Sequence, residues 1–137
     1  MKATVGQGRE VPFYEFSVPA GFPSPAMDYV EKKLSADELL GLSKPSVFFC
    51  RVAGDSMIGA GIYDGDLLVV DFALEPKNDN IVVAIICNEL TVKRLCITPS
   101  EWMLMAENPI YPPLIFSRSE ELRVWGVVTH NLHKLLG

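Results

Sequence analysis

From Val47 to Leu132 the chain is a succession of short apolar runs cut by turn-forming residues, and none is long enough for a sizeable helix. Val47–Ala53 is β-branched and aromatic and stops at Gly54-Asp55, and Asp66–Phe72 follows Asp64-Gly65. Ile81–Cys87 and Leu90–Ile97 flank Asn88-Glu89, a connection short enough for a hairpin, in which Asn88 tolerates a left-handed backbone. Trp102–Ala106 is closed by Glu107-Asn108-Pro109, and Ile115–Ser117 is a further short candidate. Leu122–Leu132 is long and β-branched, with Gly126 placed for a bulge or bend. Such a pattern predicts a mainly β domain over residues 46–137, built as curled antiparallel sheets or a partly open barrel.

Residues 1–45 read differently. Pro12, Pro19, Pro23 and Pro25 each fix φ and disfavour helix in the residue before them. Phe13, Tyr14, Phe16, Val18 and Phe22 lie between them without a sustained period, as in an extended N-terminal arm that needs a surface to dock on. Asp28–Leu34 is mixed and weakly helical. Ser35-Ala36-Asp37-Glu38 is a capping-box pattern, Leu39 and Leu40 follow, and Gly41 ends a short helix. The apolar arm and the open sheet edges together predict a homodimer.

Composition narrows the function. At 137 residues there is room for one domain with an arm, and 49% hydrophobic against 21% charged residues excludes disorder of the whole chain. The net charge of −5 repels polyanions, which argues against a nucleic-acid-coating protein while leaving a local basic patch open; no direct sequence-specific DNA binding is expected. No apolar run nears the ~20 residues of a bilayer span, and residues 1–10 lack the apolar stretch of a secretory signal. A cytoplasmic protein without membrane contact is expected. Cys50, Cys87 and Cys96 lack CxxC spacing and sit in apolar runs, where a thiol acts as a small hydrophobe. With only His130 and His133 to add, no metal site or cofactor is expected.

Gly54-Asp55-Ser56-Met57 ends a strand with a glycine turn and sets a serine before a short helical stretch, Met57–Gly61. A serine there is ordinarily a helix cap, but its hydroxyl can also be a nucleophile with backbone N–H groups nearby for an oxyanion. A nucleophile needs a base. His130 and His133 fall on opposite faces of the last strand, and nothing in the sequence brings either to Ser56. The remaining base is a lysine neutralised by burial, and Lys93 is the only lysine set among strand apolars. Alternation places Lys93 with Thr91, Leu95 and Ile97, and Arg94 with Leu90, Val92 and Cys96. Both faces are apolar, so one of these two cations is partly buried, and the period leaves open which.

Three motifs occur in order: Gly54-Asp55-Ser56-Met57, then Gly61-Ile62-Tyr63-Asp64-Gly65-Asp66-Leu67-Leu68-Val69-Val70-Asp71, then Thr91-Val92-Lys93-Arg94-Leu95. Together they resemble the LexA/UmuD family of self-cleaving serine–lysine peptidases, and most of all its UmuD-type mutagenesis regulators. The 37 residues from Ser56 to Lys93 fit that family, and the similarity runs from about Val11 to His130. Ala20-Gly21-Phe22-Pro23-Ser24-Pro25-Ala26 is similar to the family's cleavage segment, and Asp28-Tyr29-Val30-Glu31 to the region after it. The residue before the scissile glycine is alanine, as in LexA-type sites, where UmuD carries cysteine. Both are small.

The resemblance implies Ser56 as nucleophile and Lys93 as neutral general base, with the backbone amides around Asp55 and Ser56 as oxyanion hole. The bond cut would be Ala20–Gly21. It also implies a regulator of the DNA-damage (SOS) response, activated by a recombinase filament on single-stranded DNA. Its trimmed form, Gly21–Gly137, would serve as accessory subunit of an error-prone Y-family DNA polymerase. A full repressor needs a DNA-binding domain before the cleaved bond, where only 20 residues stand. The competing reading is a non-enzymatic, dimeric polymerase-binding module that keeps a vestigial dyad.

Overall fold

The chain falls into two units, Met1–Lys44 and Pro45–Gly137. The computed structural model describes residues 8–15, 30–116 and 122–137. In the first unit β1 (Glu10–Glu15) and β2 (Val30–Ser35) pair antiparallel, from Glu10 opposite Ser35 to Glu15 opposite Val30. The expectation of weak helix over Asp28–Leu34 is thus corrected to strand from Val30 onward. Val30-Glu31-Lys32-Lys33-Leu34 has no helical apolar stripe, and pairing with β1 supplies its backbone partners. Pro12 sits inside β1 because each strand of a two-stranded sheet has an open edge.

A short helix, α1 (Ala36–Leu40), continues directly from β2. Ser35 Oγ accepts the Glu38 N–H at 3.1 Å, and Gly41 closes the helix at φ 69°. Glu38 returns the contact by accepting from the Ser35 hydroxyl at 3.3 Å instead of from its N–H. Phe16, Val18, Phe22 and the Ala20–Gly21 bond lie outside the described residues.

The second unit is one antiparallel sheet. Its strands are β3 (Val47–Arg51), β4 (Leu67–Asp71), β5 (Ile81–Ile86), β6 (Glu89–Ile97), β7 (Trp102–Met105), β8 (Leu114–Phe116) and β9 (Arg123–Leu132). Their spatial order is β3-β4-β9-β5-β6-β7-β8, so β3 and β8 are ends and the sheet does not close into a barrel. Register shifts where β9 meets β5: Val83 faces Gly126 and Ala84 faces Val124, leaving Trp125 as the extra residue beside the predicted bend. Gly126 is required there, because a Cβ would stand 2.5 Å from Val70 Cγ1.

Val82, Val83 and Ala84 of β5 are all fully buried. Val83 packs with Val52, Met57, Ile62, Leu68 and Val70, whereas Val82 and Ala84 pack with Leu95, Leu104 and Val127. The middle of the sheet is therefore covered on both faces, which is why β5 reads as a continuous apolar run. The β5–β6 hairpin turns one residue earlier than predicted. Ile86 pairs with Glu89, and Cys87 and Asn88 form the turn at φ 50° and 65°. Cys87 is consequently exposed, not part of an apolar strand, while Cys50 and Cys96 are half-buried thiols. Among the described residues no helix is long and apolar enough to cross a membrane.

Candidate active site

The loop between β3 and β4 is tied at its base, where Val52 N–H donates to Asp66 O at 2.9 Å and Gly65 N–H to Val52 O at 2.8 Å. Gly54 takes φ 91°, open to glycine at no steric cost, and its N–H is held by Asp64 Oδ1 at 2.8 Å. Met57, 2% exposed, anchors the loop in the core. Ser56 stands between this anchor and exposed Asp55. The expected helical turn is a 3-10 segment, Ile58–Ala60, whose cap position is Met57 and has no side-chain cap bond. Ser56 therefore does not cap it. Its hydroxyl faces a lysine instead.

Lys93 Nζ donates to Ser56 Oγ at 3.2 Å, to Thr91 Oγ1 at 2.7 Å and to Val92 O at 3.2 Å. All three acceptors are neutral, and burial pushes the Lys93 amine below its ordinary value. Both cations that alternation left open are half-buried, and they differ in partners: Lys93 meets Ser56, whereas Arg94 ion-pairs with Glu107 and donates to Asp79 O at 2.6 Å. Strand β7 pairs with β6 only from Arg94 onward, so the preceding stretch of β6 borders an open cavity of about 350 Å³. Asp55, Ser56, Thr91, Lys93 and Tyr111 all line it.

The histidines are elsewhere. His133 lies just beyond β9, not on it, and its Nδ1 meets Asp66 Oδ1 at 2.5 Å. His130 Nδ1 lies 2.9 Å from Thr129 Oγ1. Asp66, 3% exposed, also accepts from Tyr63 N–H and Asn131 Nδ2, each at 2.8 Å. Burial alone would raise its carboxyl, but the bonds from Asn131, Tyr63 and His133 outweigh it and hold the group below its ordinary value.

Three residues join the site that sequence reasoning did not single out. Thr91 had a signal, since it stands two residues before Lys93 on the same strand face. Asn108 and Tyr111, which bond Asp55, had none, being 53 and 56 residues away in sequence. The predicted cleavage bond, Ala20–Gly21, is not among the described residues.

A hydroxyl set against a partly desolvated amine that, among the described residues, pairs with no carboxylate is the arrangement a serine nucleophile with a lysine base would need. The chain belongs to the Peptidase S24-like family, whose model matches residues 12–129. It is 44% identical to Protein MucA of Salmonella typhimurium over 123 residues, covering 89% of this chain and 84% of the relative. It is likewise 44% identical to Protein SamA of Salmonella typhimurium strain LT2, over 90% of this chain and 85% of the relative. With a LexA repressor of Verminephrobacter eiseniae it shares 40% identity over 80% of this chain and 49% of that protein. These similarities make it a UmuD-like member of the LexA/UmuD family of self-cleaving serine peptidases.

Proposed function

We propose that this chain cleaves itself between Ala20 and Gly21, with Ser56 as nucleophile and Lys93 as general base. The observation that carries the reading is the 3.2 Å approach of Lys93 Nζ to Ser56 Oγ, at the wall of an open cavity of about 350 Å³. Neutral Lys93 takes the hydroxyl proton as Ser56 Oγ attacks the Ala20 carbonyl carbon. The oxyanion is received by the N–H groups around Asp55 and Ser56. The Lys93 ammonium then protonates the Gly21 amine as the C–N bond breaks, leaving an ester on Ser56. Water, deprotonated by the same amine, hydrolyses that ester and regenerates the hydroxyl.

In this reading residues 1–45 are the arm that presents the bond, and residues 46–137 are the catalytic and dimerisation domain. A recombinase filament on single-stranded DNA stimulates the cut by favouring the state in which the arm occupies the cavity. The trimmed homodimer acts in the cytoplasm as accessory subunit of an error-prone Y-family polymerase during the SOS response. Exposed Val11, Phe13 and Tyr14 on β1 support a paired arm, since such residues favour cover.

The test is intact-mass spectrometry of the purified full chain before and after incubation with an activated filament. Cleavage yields two products, residues 1–20 and 21–137. An unchanged mass, with the filament and at alkaline pH, would favour the alternative of a polymerase-binding module with a vestigial dyad.

A further inference from the structure

Ser56, Thr91 and Lys93 do not account for the connection between β7 and β8, which folds onto the nucleophile turn. Gly59 N–H donates to Glu107 O at 2.8 Å, and a Cβ on Gly59 would stand 2.6 Å from that oxygen, so only glycine allows the approach. Asn108 Nδ2 donates to Asp55 O at 3.0 Å, and the Tyr111 hydroxyl donates to Asp55 Oδ1 at 2.5 Å. The connection is itself braced, with Ile110 N–H on Asn108 Oδ1 at 3.3 Å and Tyr111 N–H on Asn108 O at 3.1 Å.

The Asp55 carbonyl and the Ser56 N–H belong to one planar peptide unit. A hand on the oxygen therefore sets the direction of the N–H on the other side of the plane. We propose that Asn108 and Tyr111 are positioning residues for the oxyanion hole, holding Asp55 by its carbonyl and its carboxylate so that the Ser56 N–H faces the oxyanion. This rests on the reading of Ser56 as nucleophile. Neither side chain need touch the reacting atoms. Their contribution is a donor aimed before charge develops, which is where an oxyanion hole gains most of its effect.

Two substitutions in the full chain isolate the contacts. Asn108→Asp keeps the Oδ1 that accepts from Ile110 and loses the donor to Asp55 O. Tyr111→Phe removes only the hydroxyl. Filament-independent self-cleavage at alkaline pH is measured as a first-order rate, alongside the affinity of phenylboronic acid, whose tetrahedral adduct on a serine hydroxyl is anionic. Asn108→Asp is expected to slow cleavage about 100-fold, the scale of a lost oxyanion donor, and Tyr111→Phe about 10-fold. Boronate affinity should fall in both, and in Tyr111→Phe, which adds no charge, the thermal midpoint and the pH midpoint of cleavage should be unchanged. In an Asp55→Ala background Tyr111→Phe should have no further effect, because its target is gone.

Wild-type rates in both variants would overturn the proposal, as would losses that leave boronate affinity intact or add in full to Asp55→Ala. Ser56→Ala separates the two layers. Cleavage surviving in that variant rejects the nucleophile itself, whereas its loss there beside wild-type rates in Asn108→Asp and Tyr111→Phe rejects only the positioning.

Discussion

The loop from Gly54 to Asp66 carries an ionisable cluster at each end, and the two are built on opposite terms. At the Asp66 end a carboxylate that is almost fully buried meets three donors, from Tyr63, Asn131 and His133. The charge is more than matched, and the group ionises more readily than usual despite its burial. At the Ser56 end the Lys93 amine has only neutral oxygens, and among the described residues no carboxylate pairs with it. Burial is left uncompensated there and favours the free amine. One end uses charge to close a structure, and the other leaves a charge unsupported so that it can be given up.

The largest effects should come from breaking the unsupported end. Ser56→Ala and Lys93→Ala are each expected to lower self-cleavage by roughly 10⁴-fold or to below detection, with circular dichroism unchanged. The pH dependence carries a sign. Only neutral Lys93 accepts the serine proton, so the rate should rise with pH, about tenfold per pH unit, until the amine is deprotonated. Because burial lowers Lys93, the plateau should begin below the ordinary lysine value of about 10.4. A rate that rises nowhere between about pH 5 and 10 would reject Lys93 as the titrating base.

Breaking the compensated end should cost stability instead of chemistry. Asp66→Ala strips partners from buried donors and is expected to destabilise the domain by about 3 kcal/mol in urea unfolding at neutral pH. The folded Asp66 carboxyl is depressed, so its contribution is fully present above the unfolded value of about 3.9 and is lost as pH falls through the folded one. The difference between wild type and variant should shrink in that acid window. Cleavage measured well below the unfolding midpoint should persist in Asp66→Ala.

The contrast between the two ends also explains what the sequence made legible. The seven strands of the sheet follow from apolar runs bounded by Gly, Asp and Asn, because each run must be buried and each break must turn. Ser56 is visible as a strand-end serine after Gly54. Its partner is not settled by alternation, since clusters on both faces of the sheet bury alternate residues of β5 and leave neither face of β6 plainly outward. The motif resemblance names Lys93, and the hydrogen bond to Ser56 gives that choice its geometry. Strand β2 was illegible because its partner, not its own pattern, decides it. The bonds of Asn108 and Tyr111 to Asp55 cross more than 50 residues and leave no local mark.

Thr91 sharpens the comparison at smaller scale. Its hydroxyl oxygen accepts from the charged amine, so it both aims Lys93 and favours the protonated form. Thr91→Val should lower the plateau rate about 5- to 10-fold through lost orientation. It should also move the pH midpoint of cleavage downward, because an acceptor for the ammonium has gone. A midpoint that rises would show that Thr91 does not hold the charged form.

The smallest effect belongs to the neighbouring cation. Arg94 differs from Lys93 in having what the lysine lacks, a carboxylate partner, Glu107, at a half-exposed pair where side chains keep 30% and 34% of their surface. Such pairs are worth about 0–1 kcal/mol, and the lowering of Lys93 comes from burial, not from the charge of Arg94. Arg94→Ala should therefore retain self-cleavage within about threefold of wild type, the rate equivalent of under 1 kcal/mol. The pH midpoint should stay in place, while the connection carrying Glu107 loses one tether. Measured beside Lys93→Ala, this variant asks which face of β6 does the chemistry. Loss of cleavage in Arg94→Ala with cleavage kept in Lys93→Ala would reverse the assignment and move the base to the other side of the strand.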